Sequence, residues 1–215
     1  MQRVALITGI CGMDASYLAD FLLEKDYKVY GLKRRSSSNS LGNVEHLADK
    51  IEVIESDLLD LSSLERTLRL ARPDEFYHLA AQSHVGTSFE QPILTMQVNG
   101  IGTLNCLEAI RQSNIYTRFY FAATSEMFGG IEFSEDKPLN EKSMFHPRSP
   151  YGCAKLAGFW LTTNYREAHK LHASSGILFN HEGSRRGPNF VTRKITLGIK
   201  DIVKQVMRES IIGKK

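Results

Sequence analysis

The sequence predicts an α/β fold, a doubly wound parallel sheet with helices on both faces. Short apolar runs rich in β-branched residues alternate along the chain with longer segments of helical periodicity. The first run, Arg3 to Thr8 (RVALIT), has the unbroken apolar character of a strand buried on both faces, and it goes straight into a glycine turn and a helical pattern. Late in the chain, Tyr151-x-x-x-Lys155 follows Pro150 at the start of another helical pattern, which puts a phenol and an ammonium on one helix face.

Composition narrows the class. At 215 residues, with 42% hydrophobic and 24% charged residues, the chain is long enough for a full core and has no disordered or fibrous bias. The net charge of +3 is spread along the chain with no aromatic-interleaved basic run, so no nucleic-acid partner is expected. Cys11, Cys106 and Cys153 are odd in number and lack metal-ligand spacing, which predicts free thiols and no metal. No run reaches transmembrane length and the first residues lack a signal-peptide pattern, so a cytoplasmic protein without a membrane partner is expected.

The elements follow in order. Gly9-Ile10-Cys11-Gly12-Met13-Asp14-Ala15 leads into a helix read from Tyr17 to Glu24. In a strand–turn–helix setting, Gly-x-x-Gly-x-x-Ala offers backbone N–H groups and a helix N-terminus to a pyrophosphate, although the same residues also make a plain tight turn. Lys28 to Leu32 is the second strand. Lys33-Arg34-Arg35-Ser36-Ser37-Ser38 then stands where an acidic residue would take a ribose 2′-hydroxyl. Cations and hydroxyls there suit a 2′-phosphate and point to NADP; the alternative is a solvated basic loop.

Ile51 to Glu55 is the third strand, and Asp57 just beyond it is in reach of an adenine. Leu61 to Ala71 is an amphipathic helix stopped by Pro73. Glu75 to Ala80 is the fourth strand, running into Ala81-Gln82-Ser83-His84 at the sheet edge where ligands sit. His84 has no carboxylate partner in sequence and reads more simply as a hydrogen-bonding group than as a catalytic one. Thr95 to Gln112 is expected as one long helix, with Asn99, Gly100 and Gly102 passing close to the end of the fourth strand. Arg118 to Ala123 is the fifth strand and delivers the polar cluster Thr124-Ser125-Glu126. A charged loop from Gly129 to Arg148 feeds the helix Tyr151 to His169, with Trp160 expected in the core. Ser174 to Phe179 is the sixth strand, and a last helical pattern follows Val191-Thr192-Arg193-Lys194.

A free phenol has a pKa of about 10 and is a poor base at neutral pH without a nearby positive charge, which Lys155 would supply. Taken alone, the Tyr-x-x-x-Lys spacing is also that of an ordinary exposed helix face.

With these features placed, the chain resembles the extended short-chain dehydrogenases, whose glycine spacing it shares, and within them the GDP-mannose 4,6-dehydratase family. The resemblance rests on residues 79–85 (LAAQSHV), 124–126 (TSE), 147–151 (PRSPY), 164–168 (NYREA), 177–182 (ILFNHE) and 190–195 (FVTRKI), and it runs over almost the whole chain. It implies a Rossmann-type NADP-binding domain over residues 1–180 and the start of a substrate-binding region over 181–215. It implies catalytic roles for Thr124, Glu126, Tyr151 and Lys155. The cofactor would be met by Gly9, Ile10, Cys11, Gly12, Met13 and Asp14 in the glycine turn, and by Arg34, Arg35, Ser36 and Ser37 after the second strand. Asp57, Leu58, Leu79, Ala80, Ala81, Gln82, Ser83, Leu94, Lys155, His181 and Arg186 complete that set, while Ser83, Glu126, Asn180, Thr192 and Lys194 would face the sugar nucleotide.

The implied reaction is a lyase step of nucleotide-sugar metabolism on the way to GDP-fucose, turning GDP-mannose into its 4-dehydro-6-deoxy product. Tyr151 and Thr124 would handle the C4 hydroxyl proton and Glu126 the C5 proton. A sugar-nucleotide epimerase needs no such carboxylate, so Glu126 separates those two readings; an NADP-binding interaction protein without turnover is a third. The family's basic loop reaches a neighbouring subunit, implying a homo-oligomer, a dimer or tetramer. Met13, Ala15 and Gly183-Ser184 depart from the family's usual Gln, Gly and Ser-Pro. Family members continue beyond the position of Lys215, so most of the C-terminal substrate domain is expected to be absent from this chain.

Overall fold

In the computed structural model, residues 2–38, 40–132 and 138–212 are described, and they fall into two compact units, Met1–Asn180 and His181–Lys215. The first holds six parallel strands: β1 (Val4–Thr8), β2 (Lys28–Lys33), β3 (Glu52–Glu55), β4 (Glu75–His78), β5 (Arg118–Thr124) and β6 (Ala173–Leu178). Their spatial order is β3-β2-β1-β4-β5-β6, so β1 pairs with both β2 and β4 and the winding reverses between β1 and β4. In such sheets ligands bind at that reversal, outside the carboxyl ends of the strands.

Alternation along β1 explains its continuous apolar run. Ala5 and Ile7 pack on one face with Ala15, Ala19 and Leu22 of α1 (Met13–Glu24) and with Val44 and Leu47 of a 3₁₀ turn (Gly42–Leu47). Leu6 packs on the other face with Leu64 and Leu68 of α2 (Leu61–Ala71), Leu107 and Ile110 of the helix before β5, and Phe76, Phe119 and Phe121 of the sheet. A strand covered on both sides has no polar side to show.

Several elements differ from expectation for local reasons. Helix α1 begins four residues earlier than its periodicity suggests, because Gly12 is extended (φ −73°, ψ 167°) and acts as the N-cap, and Asp14 suits the first turn. Its opening residues, Ala15 and Ser16, are buried but too small to register as an apolar stripe. The single helix expected over 95–112 is three pieces: α4 (Pro92–Met96), a π-turn (Gln97–Ile101) and α5 (Gly102–Ser113). One π-turn shifts the apolar phase too little to be read from spacing. A short helix, α3 (Val85–Glu90), and the 3₁₀ turn at 42–47 went unforeseen.

Trp160 is a correction. It lies on α6 (Pro150–His169), whose buried face is Gly152, Ala154, Lys155, Gly158, Thr162 and Tyr165, and it is 55% exposed. Two residues past Gly158, it points away from that face and packs edge-on against Phe145 and Phe159 instead.

In the second unit, α7 spans Val191–Ile212. Among the described residues, no helix is long and apolar enough to cross a membrane, and no group of three His, Cys, Asp or Glu is arranged to hold a metal ion. Cys11, Cys106 and Cys153 are free thiols.

Helices α5 and α6 are tied together by Glu108. It accepts two hydrogen bonds from Arg111 at 2.8 Å, one from Gln112 at 2.9 Å and a short one from the Tyr165 hydroxyl. Arg111 foremost, with help from Tyr165 and Gln112, holds the carboxyl down at about 2 against the opposing effect of burial, which comes second in size. A depressed folded pKa stabilises fully above the unfolded value of about 4.3, and that contribution is lost as pH falls towards 2. Glu108→Gln is therefore expected to cost about 1 kcal/mol at pH 7, allowing for solvent screening. In urea melts from pH 7 to pH 2.5, the gap between the two proteins should close with acid.

Candidate active site

Three segments converge at the carboxyl end of the sheet where the winding reverses. Gly9, at φ +68°, is packed so closely on the residue after β4 that a Cβ there would lie 2.8 Å from the Ala80 Cα. The glycine turn is thus pressed against Leu79, Ala80 and Ala81. Gly12 donates to the Gly9 carbonyl at 2.8 Å, and the N-terminus of α1 carries no side-chain cap.

Beneath that contact runs a hydrogen-bonded chain. The Thr8 hydroxyl accepts from the Leu79 and Ala80 N–H groups, both at 3.0 Å, so its own proton goes to His78 Nδ1 at 2.9 Å. His78 then carries its proton on Nε2 and donates to Thr103 Oγ1 at 3.1 Å, and Thr103 donates to the Asn99 carbonyl at 2.7 Å. His78 is fully buried and stacked on Phe119 and Phe121; burial first, and the nearby Lys155 charge second, push its basicity down to about 3. It is a neutral connector.

The π-turn gives Asn99 its place. Its amide brackets Gln82, accepting from the backbone N–H at 2.8 Å and donating to the carbonyl at 2.9 Å. Further along, Asn105 donates to the Leu58 carbonyl at 2.8 Å, and Gly102 lies against the Leu58 side chain. One broken helix therefore props both the 79–83 loop and the Asp57–Leu58 corner. Asp57 and Leu58 are half-buried, and the Asp57 carboxylate accepts from Leu59 N. Ser83 and Leu94 are exposed beside this loop. His84 caps α3, its Nδ1 accepting from Thr87 N at 3.1 Å, and so has a structural task.

The loop after β2 differs from a plain row of phosphate donors. Arg34, Arg35, Ser36 and Ser37 are all exposed, but Lys33 donates to the Ser38 and Ser40 carbonyls and Ser36 donates to the Ser38 carbonyl. Lys33 and the Ser36 proton are spent inside the loop, which leaves the two arginines and Ser37 presented outward.

Beside these segments stands the reactive cluster. Thr124 closes β5 and caps the following 3₁₀ turn (Ser125–Met127), its hydroxyl accepting from Glu126 N at 3.2 Å. Ser149 caps α6 by accepting from Gly152 N at 3.0 Å. A Cβ on Gly152 would lie 2.8 Å from the Glu126 carbonyl oxygen, so the helix turn bearing Tyr151 sits directly on the turn bearing Glu126. One turn on, Lys155 is buried and donates from Nζ to the Ala122 carbonyl at 2.9 Å, with its ammonium 4.9 Å from the Phe121 ring and 6.0 Å from the Tyr151 ring. Burial lowers its pKa to about 8. The arrangement brings together the segments that carry a phenol, a carboxylate, a hydroxyl and an ammonium whose pKa burial has lowered, which suits moving protons on and off a polar organic substrate.

Asn180 is exposed after β6. Within the second unit, Arg186 stacks 3.8 Å over Phe190 and pairs with Glu182, and its N–H closes a turn onto Gly183 at the departure from Ser-Pro. His181, Thr192 and Lys194 are exposed, the last two in the first turn of α7.

Residues 6–215 match the model of the family described as GDP-mannose 4,6 dehydratase. The chain belongs to the GDP-mannose 4,6-dehydratase family. It is 48% identical to a GDP-mannose 4,6 dehydratase of Drosophila melanogaster over 99% of this chain and 55% of that protein. It is 50% identical to that of Yersinia enterocolitica over 94% of this chain and 56% of the relative, so it spans about half the length of the curated relatives it matches. Among solved structures, UDP-glucose 4-epimerase of Thermus thermophilus in complex with NAD superposes with a TM-score of 0.80 at 29% identity, over 90% of this chain and 60% of that one. The dTDP-glucose 4,6-dehydratase of Streptomyces venezuelae, at 23% identity and a TM-score of 0.80 over 92% and 62%, shares the fold.

For this dehydratase-family chain the buried Lys155 has a measurable cost. A folded pKa below the unfolded value of about 10.4 means the folded state is penalised while the amine is charged, and the penalty is relieved as pH rises from 8 to 10.4. Lys155→Met is expected to raise stability at pH 7 by about 1–3 kcal/mol. It should also remove the gain in stability of the unmodified protein between pH 8 and 10, read by denaturant midpoints.

Proposed function

We propose that this chain carries the dinucleotide-binding and proton-transfer part of an NADP-dependent sugar-nucleotide 4,6-dehydratase acting on GDP-mannose. The single observation that carries the reading is the contact of Gly152 on the Glu126 backbone, which sets the turn bearing Glu126 against the helix turn bearing Tyr151. A dinucleotide fits the other residues: the uncapped N-terminus of α1 and the closed Gly9 turn suit a pyrophosphate, and exposed Arg34 and Arg35 suit a 2′-phosphate. The backbone of Gly9 to Asp14, the corner at Asp57 and Leu58, and Leu79 to Ser83 would hold it. When bound, the nicotinamide supplies a reversible acceptor for hydride, so the reaction has no net oxidation and is a lyase step.

The chain's own groups then divide the proton work. Tyr151 takes the proton of the C4 hydroxyl, its phenolate favoured by the Lys155 charge, and Thr124 shares that hydrogen bond. Glu126 takes the C5 proton once a ketone at C4 has made it acidic, as water leaves C6. A carboxylate suits proton removal next to a carbonyl, and a hydroxyl at that place would not serve. Residues 181–215, with Thr192 and Lys194, begin the substrate-binding region, to which His181 and Arg186 add cofactor contacts. On this reading the enzyme is a cytoplasmic homo-oligomer.

An epimerase is the competing reading, supported by the likeness to UDP-glucose 4-epimerase, and Glu126 weighs against it. Incubation with GDP-mannose and catalytic NADP⁺ should give, by mass spectrometry, a product lighter by one water; an isomer of unchanged mass would support the epimerase. Glu126→Gln should keep cofactor binding and label transfer from C4-deuterated substrate to the cofactor, while elimination and C5 exchange fall by about 10²–10⁴. Tyr151→Phe should stop the label transfer as well. In calorimetry, two charge-assisted hydrogen bonds to the 2′-phosphate should give NADP⁺ a tenfold to hundredfold advantage over NAD⁺, from about 1.5–3 kcal/mol. Equal dissociation constants would sink the NADP assignment.

A further inference from the structure

The loop after β2 contains three consecutive cations, but only two face outward. Lys33 is half-buried at the last position of β2, where its carbonyl accepts from Ser56 N at 3.1 Å. Its ammonium turns back along the loop and donates to the Ser38 carbonyl at 3.1 Å and the Ser40 carbonyl at 2.8 Å. The hydroxyls continue the pattern: Ser36 both donates to the Ser38 carbonyl and accepts from Ser38 N, Ser38 accepts from Ser40 N, and Ser40 accepts from Gly42 N. Glu45 closes the far side, accepting from Ser40 Oγ at 2.9 Å and from Leu41 N at 2.6 Å. Its carboxyl is held below the usual range, chiefly by the Leu41 N–H and the Ser40 hydroxyl, with the Lys33 charge a smaller contributor. Gly42, at φ +57°, brings this ring against Cys11 of the glycine turn.

We propose that Lys33 is a positioning residue for cofactor choice: it closes the loop from inside so that Arg34 and Arg35 stand ready for a 2′-phosphate, and does not itself bind that phosphate. The inference rests on the NADP reading above. An ammonium has three donors, and two are committed to the Ser38 and Ser40 carbonyls, the first of which also accepts from the Ser36 hydroxyl. A loop closed before the ligand arrives loses less freedom on binding, and the gain falls on the ligand that uses the arginines. NAD, with no 2′-phosphate, draws little on that part of the loop, so losing the closure should narrow the difference between the two dinucleotides.

The test pairs Lys33→Met, close in length but without donors, with Lys33→Arg, whose guanidinium can again donate to both carbonyls. Hydrogen exchange is measured without cofactor, and NADP⁺ and NAD⁺ affinities by calorimetry, on the full chain. Lys33→Met should speed exchange at Ser38, Ser40, Leu41 and Gly42 about tenfold, raise the NADP⁺ dissociation constant about tenfold and change that of NAD⁺ less than twofold. Lys33→Arg should restore most of both effects. Weaker NADP⁺ binding with unchanged exchange would make Lys33 a direct phosphate contact and overturn the proposal, as would equal weakening of both cofactors. If the unmodified protein shows no preference between them, the NADP reading itself fails and the proposal with it. The exchange data would then still report whether Lys33 closes the loop.

Discussion

The hydroxyl of Thr8 is the joint on which the candidate site depends. It accepts two backbone N–H groups from the segment after β4 and gives its proton to a buried histidine on that strand. At the reversal of a parallel sheet the two central strands diverge, and their ends need a polar tie that the sheet ladder no longer supplies. Through His78, Thr103 and Asn99 the same tie extends to the π-turn and back to Gln82. Because burial keeps His78 neutral, the chain of donors and acceptors keeps one sense across the pH range in which the protein works.

A second constraint sits where Lys155 enters the core. An ammonium with one carbonyl partner and two aromatic rings around it is held at a net loss of stability relative to an apolar side chain. The loss is local, and the surrounding helix is anchored by other means: the Ser149 cap at one end and the Glu108–Tyr165 contact towards the other. Stability is thus gathered at the ends of α6 and given up at the turn that carries the phenol, in keeping with strain and charge burial concentrating at functional positions.

Much of this was legible in the residues. The strand–turn–helix opening, the six strands and their parallel arrangement follow from period and punctuation, and α2 ends before Pro73 where the spacing puts it. The segments bearing Thr124, Glu126, Tyr151 and Lys155 stood out because each lies beside a strand end or helix start, and the family resemblance implied their catalytic roles. What stayed hidden were features without a sequence period: the π-turn, the cap on α3 and the outward turn of Trp160. The roles of Thr8, His78 and Lys33 depend on partners far along the chain or folded back on it. The available signal was polarity in the wrong place, Thr8 and His78 at the ends of otherwise apolar strands, and it marks a connection without saying to what.

Gly152 meets Glu126 through the backbone carbonyl, and nothing in that contact involves the carboxylate. That contact is therefore indifferent to the side chain at 126, whereas a side chain at position 152 would press on the backbone. Over evolutionary time such an arrangement lets one position drift while the other stays locked. A new reaction type can then arise on an old fold by a single exchange with no repacking to follow. Descendants of one ancestral scaffold can part in chemistry long before they part in shape.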